Sequence, residues 1–193
     1  MVSTSSRPTL NSGSQLLPDA AANTLAPNQP SPNQQLLPLT AQINAQDHLE
    51  IGGVDVVELV QQFGSPLYIV DEFSFREGCR QYRNGFQTHY PGESLVIYAS
   101  KAWNCLALCA IATQEGLGLD VVSGGELVTA LQAGVSPEII YFHGNNKSVD
   151  ELRLALSAGI TVVVDNWFEL KTLTQLTTET QQSVRIMVRL TPG

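Results

Sequence analysis

Lys101 closes the apolar run Leu95-Val96-Ile97-Tyr98-Ala99-Ser100 and is followed by a helical pattern from Trp103. Apolar neighbours disfavour an ammonium ion, and a partly desolvated lysine attacks carbonyls and can hold an aldehyde as a Schiff base. A lysine that ends a strand and snorkels into solvent is the plainer alternative. Further reactive side chains recur in comparable places. Asp120 lies in the next apolar run and is followed by Ser123-Gly124-Gly125-Glu126; His143-Gly144-Asn145-Asn146-Lys147 ends a third run; Asp165-Asn166 ends a fourth; Arg189 follows Ile186-Met187-Val188.

Each of these has a plain structural role open to it. Ser123, Asp165 and Asn166 are good helix caps, and Gly124-Gly125 suits a tight turn. His143 either stacks on a ring or is a satisfied core histidine. The Arg189 guanidinium is costly to bury without an acceptor, so it calls for a phosphate, a carboxylate or an aromatic oxygen, and an ion pair with Asp165 serves equally well. Together, a lysine, two carboxylates, a histidine and an arginine at one mouth are what a cofactor site with acid–base chemistry requires.

The elements that would bring them together are β/α repeats. Strand-like runs at 94–100, 118–122, 139–143, 160–164 and 184–190 alternate with helical patterns at 103–115, 124–133, 148–158 and 166–178, a period of about 20 to 25 residues. Helices ending at Glu115-Gly116, Ala133-Gly134 and Ala158-Gly159 have glycine where a left-handed residue closes the last turn. Continuous runs such as Thr161-Val162-Val163-Val164 imply strands buried on both faces, hence a parallel sheet covered by helices. In such sheets the carboxyl ends of the strands carry the ligand. A doubly wound sheet and a (β/α)8 barrel both fit; the short, regular connections favour the barrel, of which about five units are present. Because the sequence stops after a strand, we expect an N-terminal fragment of a longer protein.

Before the repeats, residues 47–71 read as a strand at His48–Ile51, a Gly52-Gly53 turn, a helix around Val56–Phe63 and a strand at Leu67–Val70. Asp71, with Ser74 as rival, would cap a helix running to Tyr90. Residues 1–45 hold two charged side chains, Arg7 and Asp19, but six of the ten prolines, so a disordered tail is expected there.

With 43% hydrophobic residues among 193, the chain can bury one sizeable core. The net charge of −8 provides no basic stripe for nucleic acid. No stretch approaches the roughly 20 apolar residues of a membrane span, and no basic-then-apolar leader is present, which makes the cytoplasm the expected compartment. Cys79, Cys105 and Cys109 are odd in number and lack framework or metal spacing, as in small buried hydrophobes of a reducing compartment.

Tyr98–Ala102, Gly118–Leu127 and Tyr141–Ser148 together resemble diaminopimelate decarboxylases, of the alanine-racemase-like class of pyridoxal-phosphate enzymes, and the resemblance runs from about residue 48 onward. It implies an eight-stranded barrel with a second, β-rich domain, to which residues 46–70 would contribute, and a pyridoxal-phosphate-binding barrel portion over 71–193. By match, Lys101 resembles the lysine that holds pyridoxal 5'-phosphate as a Schiff base. Asp120 and Glu126 resemble acidic residues near the cofactor and the lysine. His143 and Asn145 fall in a pocket-lining motif, and Arg189 resembles an arginine near the cofactor's phenolic oxygen.

The implied activity is decarboxylation of meso-2,6-diaminopimelate to L-lysine by a homodimer, with an amino-acid substrate and neither a nucleic acid nor a membrane as partner. The family's later ring-stacking histidine, phosphate loop and pyridine-nitrogen glutamate have no match in these residues, so the fragment is expected to be inactive alone. A sister decarboxylase acting on ornithine or arginine, and a non-catalytic pyridoxal-phosphate-binding protein, are the rival readings.

Overall fold

The computed structural model describes residues 34–192. The chain divides into two units, Met1–Leu37 and Pro38–Gly193; the described part of the first holds a 3-10 turn at Gln34–Leu36, and the elements below belong to the second.

Gly52 and Gly53 both adopt left-handed backbone, the conformation a two-residue hairpin turn demands. They join β2 (Leu49–Ile51) to β3 (Val54–Asp55), and β1 (Gln42–Ile43) completes a three-stranded antiparallel sheet in the order β1-β2-β3. Asp55 then caps α1 (Val56–Phe63), its carboxylate accepting from the backbone of Val57 and Glu58. The tail expected through residue 45 therefore gives way to structure earlier: Ala41 is buried and β1 pairs with β2, while residues 1–33 lie outside the described residues. Leu67–Val70 is also corrected. It keeps a strand's alternation, with Leu67 and Ile69 half-buried and Tyr68 and Val70 exposed, but neither sheet pairs with it.

Asp71 caps α2 (Glu72–His89) by accepting from the Ser74 backbone, which decides between the two candidate caps. Beyond α2 the elements alternate: β4 (Ile97–Ala99), α3 (Leu106–Gln114), β5 (Gly118–Val121), α4 (Gly124–Gln132), β6 (Ile140–Phe142), α5 (Val149–Ala158), β7 (Thr161–Val164), α6 (Trp167–Thr180) and β8 (Arg185–Val188). All five strands are parallel and stand in sequential order, each beside its predecessor. A doubly wound sheet reverses its order at a switch point, so this is barrel-wall topology. The helix α3 begins three residues later than its periodicity suggested, because Ser100–Ala102 first makes a 3-10 turn.

The core lies between the sheet and its helices. Leu119, Val121, Ile140, Phe142, Val162 and Val164 meet Cys109 and Ala112 of α3, Leu127 and Ala130 of α4, Leu152 and Ala155 of α5, and Leu173 and Leu176 of α6. The helical partners recur at three-residue spacing, and each large one contributes roughly 1.5–3 kcal/mol through burial. Gly118 allows the closest approach in this packing, since a Cβ there would stand 2.6 Å from the Ile139 carbonyl oxygen. Cys79 and Cys109 are buried, and burial pushes both thiols up, as for packing residues; Cys105, half-buried, precedes α3.

Candidate active site

Register decides which side chains share a face. Ala99, Asp120 and Tyr141 are paired across β4, β5 and β6, and Tyr141, Thr161 and Arg185 continue the row. Because side chains alternate along a strand, Leu119 and Val121 point to the helices while Asp120 points to the opposite face. Two further backbone hydrogen bonds extend the ladder past the strand ends: His143 N to Val121 O at 2.8 Å, and Arg189 N to Val164 O at 2.9 Å. Asp120, His143, Asp165 and Arg189 consequently fall in even-numbered steps on one face at the carboxyl rim.

Lys101 stands on the 3-10 turn after β4 and is exposed, not desolvated as its apolar run suggested, because the strand ends at Ala99 and the turn carries the next residues to the rim. The neighbouring Ser100 is fully buried. Its hydroxyl donates to the Asp120 carbonyl at 2.8 Å and lies 3.2 Å from Glu126 Oε2, which also accepts from Val122 N at 2.7 Å. Glu126 thus braces the turn that bears Lys101.

Asp120 Oδ1 is buried without a hydrogen-bond partner among the described residues. His143 Nε2 is 3.9 Å away, an ion-pair distance but too long for a hydrogen bond. Burial pushes the Asp120 carboxyl above the usual range and the charge of Glu126 adds to this, while His143 and Lys101 pull the other way. An orphaned acceptor near an imidazole and within the electrostatic reach of Lys101 fits a site that takes a polar group. His143 is 37% exposed, so it is not a core histidine.

Arg189 has the Asp165 carboxylate as partner, Nη1 to Oδ1 at 3.1 Å, with its side chain 51% exposed. Asn145, on the loop after β6, is exposed, and its backbone carbonyl accepts from Asn166 Nδ2 at 3.3 Å. Of the cap candidates, Ser123 caps α4 and Asn166 caps α6, whereas Asp165 pairs with Arg189. The structure thus brings Lys101, Asp120 and His143 to neighbouring strand ends, braces them with Glu126, and sets the Asp165–Arg189 pair at the ends of the next two strands.

Ser100 and Glu169 are not among the rim residues expected from the sequence, whereas Lys147 is, as the last residue of the run His143–Lys147. Lys147 and Glu169 form a wholly buried pair, with Lys147 Nζ 3.0 Å from Glu169 Oε2, 2.6 Å from the Gly144 carbonyl and 2.8 Å from the Val163 carbonyl. A readable signal existed for Glu169, since a glutamate three residues after a capping side chain marks a capping box.

Compared with known proteins, residues 74–193 match the family described as pyridoxal-dependent decarboxylase, pyridoxal binding domain. The chain is 60% identical over 175 residues to a diaminopimelate decarboxylase of Synechocystis, covering 86% of this chain and 37% of the relative, and 46% identical to one of Bacillus subtilis over 80% of this chain and 35% of that one. It is similar to the crystal structure of diaminopimelate decarboxylase from M. jannaschii in co-complex with L-lysine, with a TM-score of 0.70 and 30% identity over 78% of this chain and 35% of that one. The chain spans about a third of the length of these relatives.

Proposed function

The chain belongs to the pyridoxal-dependent decarboxylases, and on that premise we propose that it supplies the lysine-bearing part of a pyridoxal 5'-phosphate site in an enzyme that converts meso-2,6-diaminopimelate to L-lysine. The observation that carries the site is the exposed Lys101 within electrostatic reach of the buried Asp120 Oδ1, which has no hydrogen-bond partner among the described residues. The relatives support this substrate: proteins this similar are named for diaminopimelate, and a solved neighbour holds L-lysine.

Lys101 would hold the cofactor through its amine. Asp120, Glu126, His143, Asn145 and Arg189 are the proposed surroundings. Bound there, pyridoxal phosphate supplies an electron sink for the pair left behind when a carboxylate departs as carbon dioxide. The chain's own groups prepare that site. Ser100 and Glu126 orient the Lys101 turn; Asp120 Oδ1, with its raised proton affinity, can hold a proton or accept from a cationic donor; His143 stands 3.9 Å from it. Asp165 keeps the Arg189 guanidinium at the rim with donors directed by a fixed fork.

No described helix is long and apolar enough to cross a membrane. We take the working enzyme to be a cytoplasmic homodimer, as the family resemblance implies.

The test is carbon dioxide release by the protein expressed from the complete reading frame, with diaminopimelate, lysine, ornithine and arginine offered separately. Turnover of diaminopimelate in preference to the others, lost in Lys101→Ala, supports the reading. Preference for ornithine or arginine would transfer the protein to the sister decarboxylases, and cofactor binding without turnover of any of them would make it a carrier.

A further inference from the structure

Three successive helices carry a glutamate three residues after the capping side chain: Glu126 after Ser123, Glu151 after Ser148 and Glu169 after Asn166. In a simple capping box such a glutamate only turns back on its own helix start. Here each carboxylate also reaches the loop of the preceding unit. Glu126 joins Val122, after β5, to Ser100, after β4. Glu151 joins Ser148, after β6, at 2.9 Å to Gly124, after β5, at 2.7 Å, using one oxygen for each backbone N–H. Glu169 joins Asp165 N, after β7, at 2.9 Å to Lys147, after β6, at 3.0 Å. Four consecutive loops, from the one bearing Lys101 to the one bearing Asp165, are therefore strung on three carboxylates.

We propose that these glutamates form a belt that fixes the spacing of the rim loops, and that Glu151, which touches none of the candidate cofactor residues, is a positioning residue for pyridoxal phosphate. This rests on the cofactor reading above. The loops that Glu151 joins carry Glu126 on one side and His143 and Asn145 on the other. Neither loop packs a large apolar side chain against its neighbour at this level, since Asn145, Asn146 and Gly125 are exposed and Gly124 is half-buried. Beside the His143 N–Val121 O bond at the strand ends, hydrogen bonds to a charged acceptor tie the two loops together, and Glu151 keeps that charge: hydrogen bonds from Ser148 lead the causes that hold its carboxyl below the usual range, with Gly124 also contributing.

Glu151→Gln isolates the bridge, because an amide offers only one acceptor oxygen for two N–H donors. Ser148→Ala is the control: it removes the cap hydroxyl but leaves the backbone N–H groups of residues 124 and 148 both directed at Glu151. In the protein from the complete reading frame, pyridoxal phosphate affinity is read from the near-visible absorbance of the bound cofactor, beside the Tm. The expected result is an affinity loss of about tenfold in Glu151→Gln, the scale of one hydrogen bond to a charged group, and less than about twofold in Ser148→Ala even where its Tm falls as far. Faster amide exchange at Gly124 in Glu151→Gln, with Leu152 unchanged, would report the lost bridge independently of the cofactor. Equal affinity losses in both variants, or none in Glu151→Gln, would overturn the belt; a parent protein that binds no pyridoxal phosphate would overturn the cofactor reading, and with it this use of the belt.

Discussion

Lys147 and Glu169 face each other in the interior, Nζ to Oε2 at 3.0 Å, with side chains 1% and 0% exposed. All three ammonium protons have acceptors, the other two being the carbonyls of Gly144 and Val163, so the pair ties the loop after β6 to the end of β7. Burying two charges is expensive, and removing one partner strands the other. Lys147→Met should therefore cost about 3–5 kcal/mol of unfolding free energy, whereas Lys147→Met with Glu169→Leu should recover most of it. Urea denaturation checks this; a double variant no more stable than the single would mean that the backbone contacts, not the charge pairing, dominate.

Asp120 makes the opposite prediction about stability. Its carboxyl is raised by burial, so folding favours the protonated form. The contribution is present in full below the unfolded value near 3.9 and is lost as pH rises through the higher folded value. In cofactor-free protein Asp120→Asn should raise Tm at pH 7 and change it little near pH 3, while weakening pyridoxal phosphate binding. Thermal scans at the two pH values measure it. A fall in Tm at pH 7 would show that Asp120 is stabilised by partners and is not held ready for a ligand.

In the small antiparallel sheet, Asp55 behaves conversely. Burial pushes its carboxyl up, but hydrogen bonds from His48, Asn44 and the backbone of Val57 and Glu58 outweigh this and bring it to about 2. Stability from Asp55 is present above the unfolded value and is lost as pH falls through about 2. Asp55→Asn should lower Tm at neutral pH, with the difference from the parent shrinking toward pH 2. A pH-independent difference would assign the loss to packing.

The repeats were legible because strand, helix and glycine cap each carry their own local signal. Gly116, Gly134 and Gly159 all adopt the left-handed backbone expected of them, and the five strands fall within their expected runs. Less legible was whatever depends on partners distant in sequence. Leu67–Val70 has strand composition but pairs with no strand among the described residues. Lys101 follows apolar residues yet is exposed, since the 3-10 turn breaks the run. The bracing by Ser100 and the burial of Lys147 arise only when loops of adjacent units meet, at 26 and 22 residues' separation from Glu126 and Glu169. Composition treats such a lysine as surface, and only the fold makes it interior.

Everything proposed for the site turns on Lys101 as the amine that holds the cofactor. Borohydride reduction of the pyridoxal-phosphate-loaded protein, followed by peptide mapping, tests it directly, because reduction fixes the cofactor to whichever amine bears it. A single pyridoxyl-modified peptide containing Lys101 is expected, absent from Lys101→Ala, with the buried Lys147 unmodified. Modification at Lys147 or at Lys171, with Lys101 recovered intact, would contradict it.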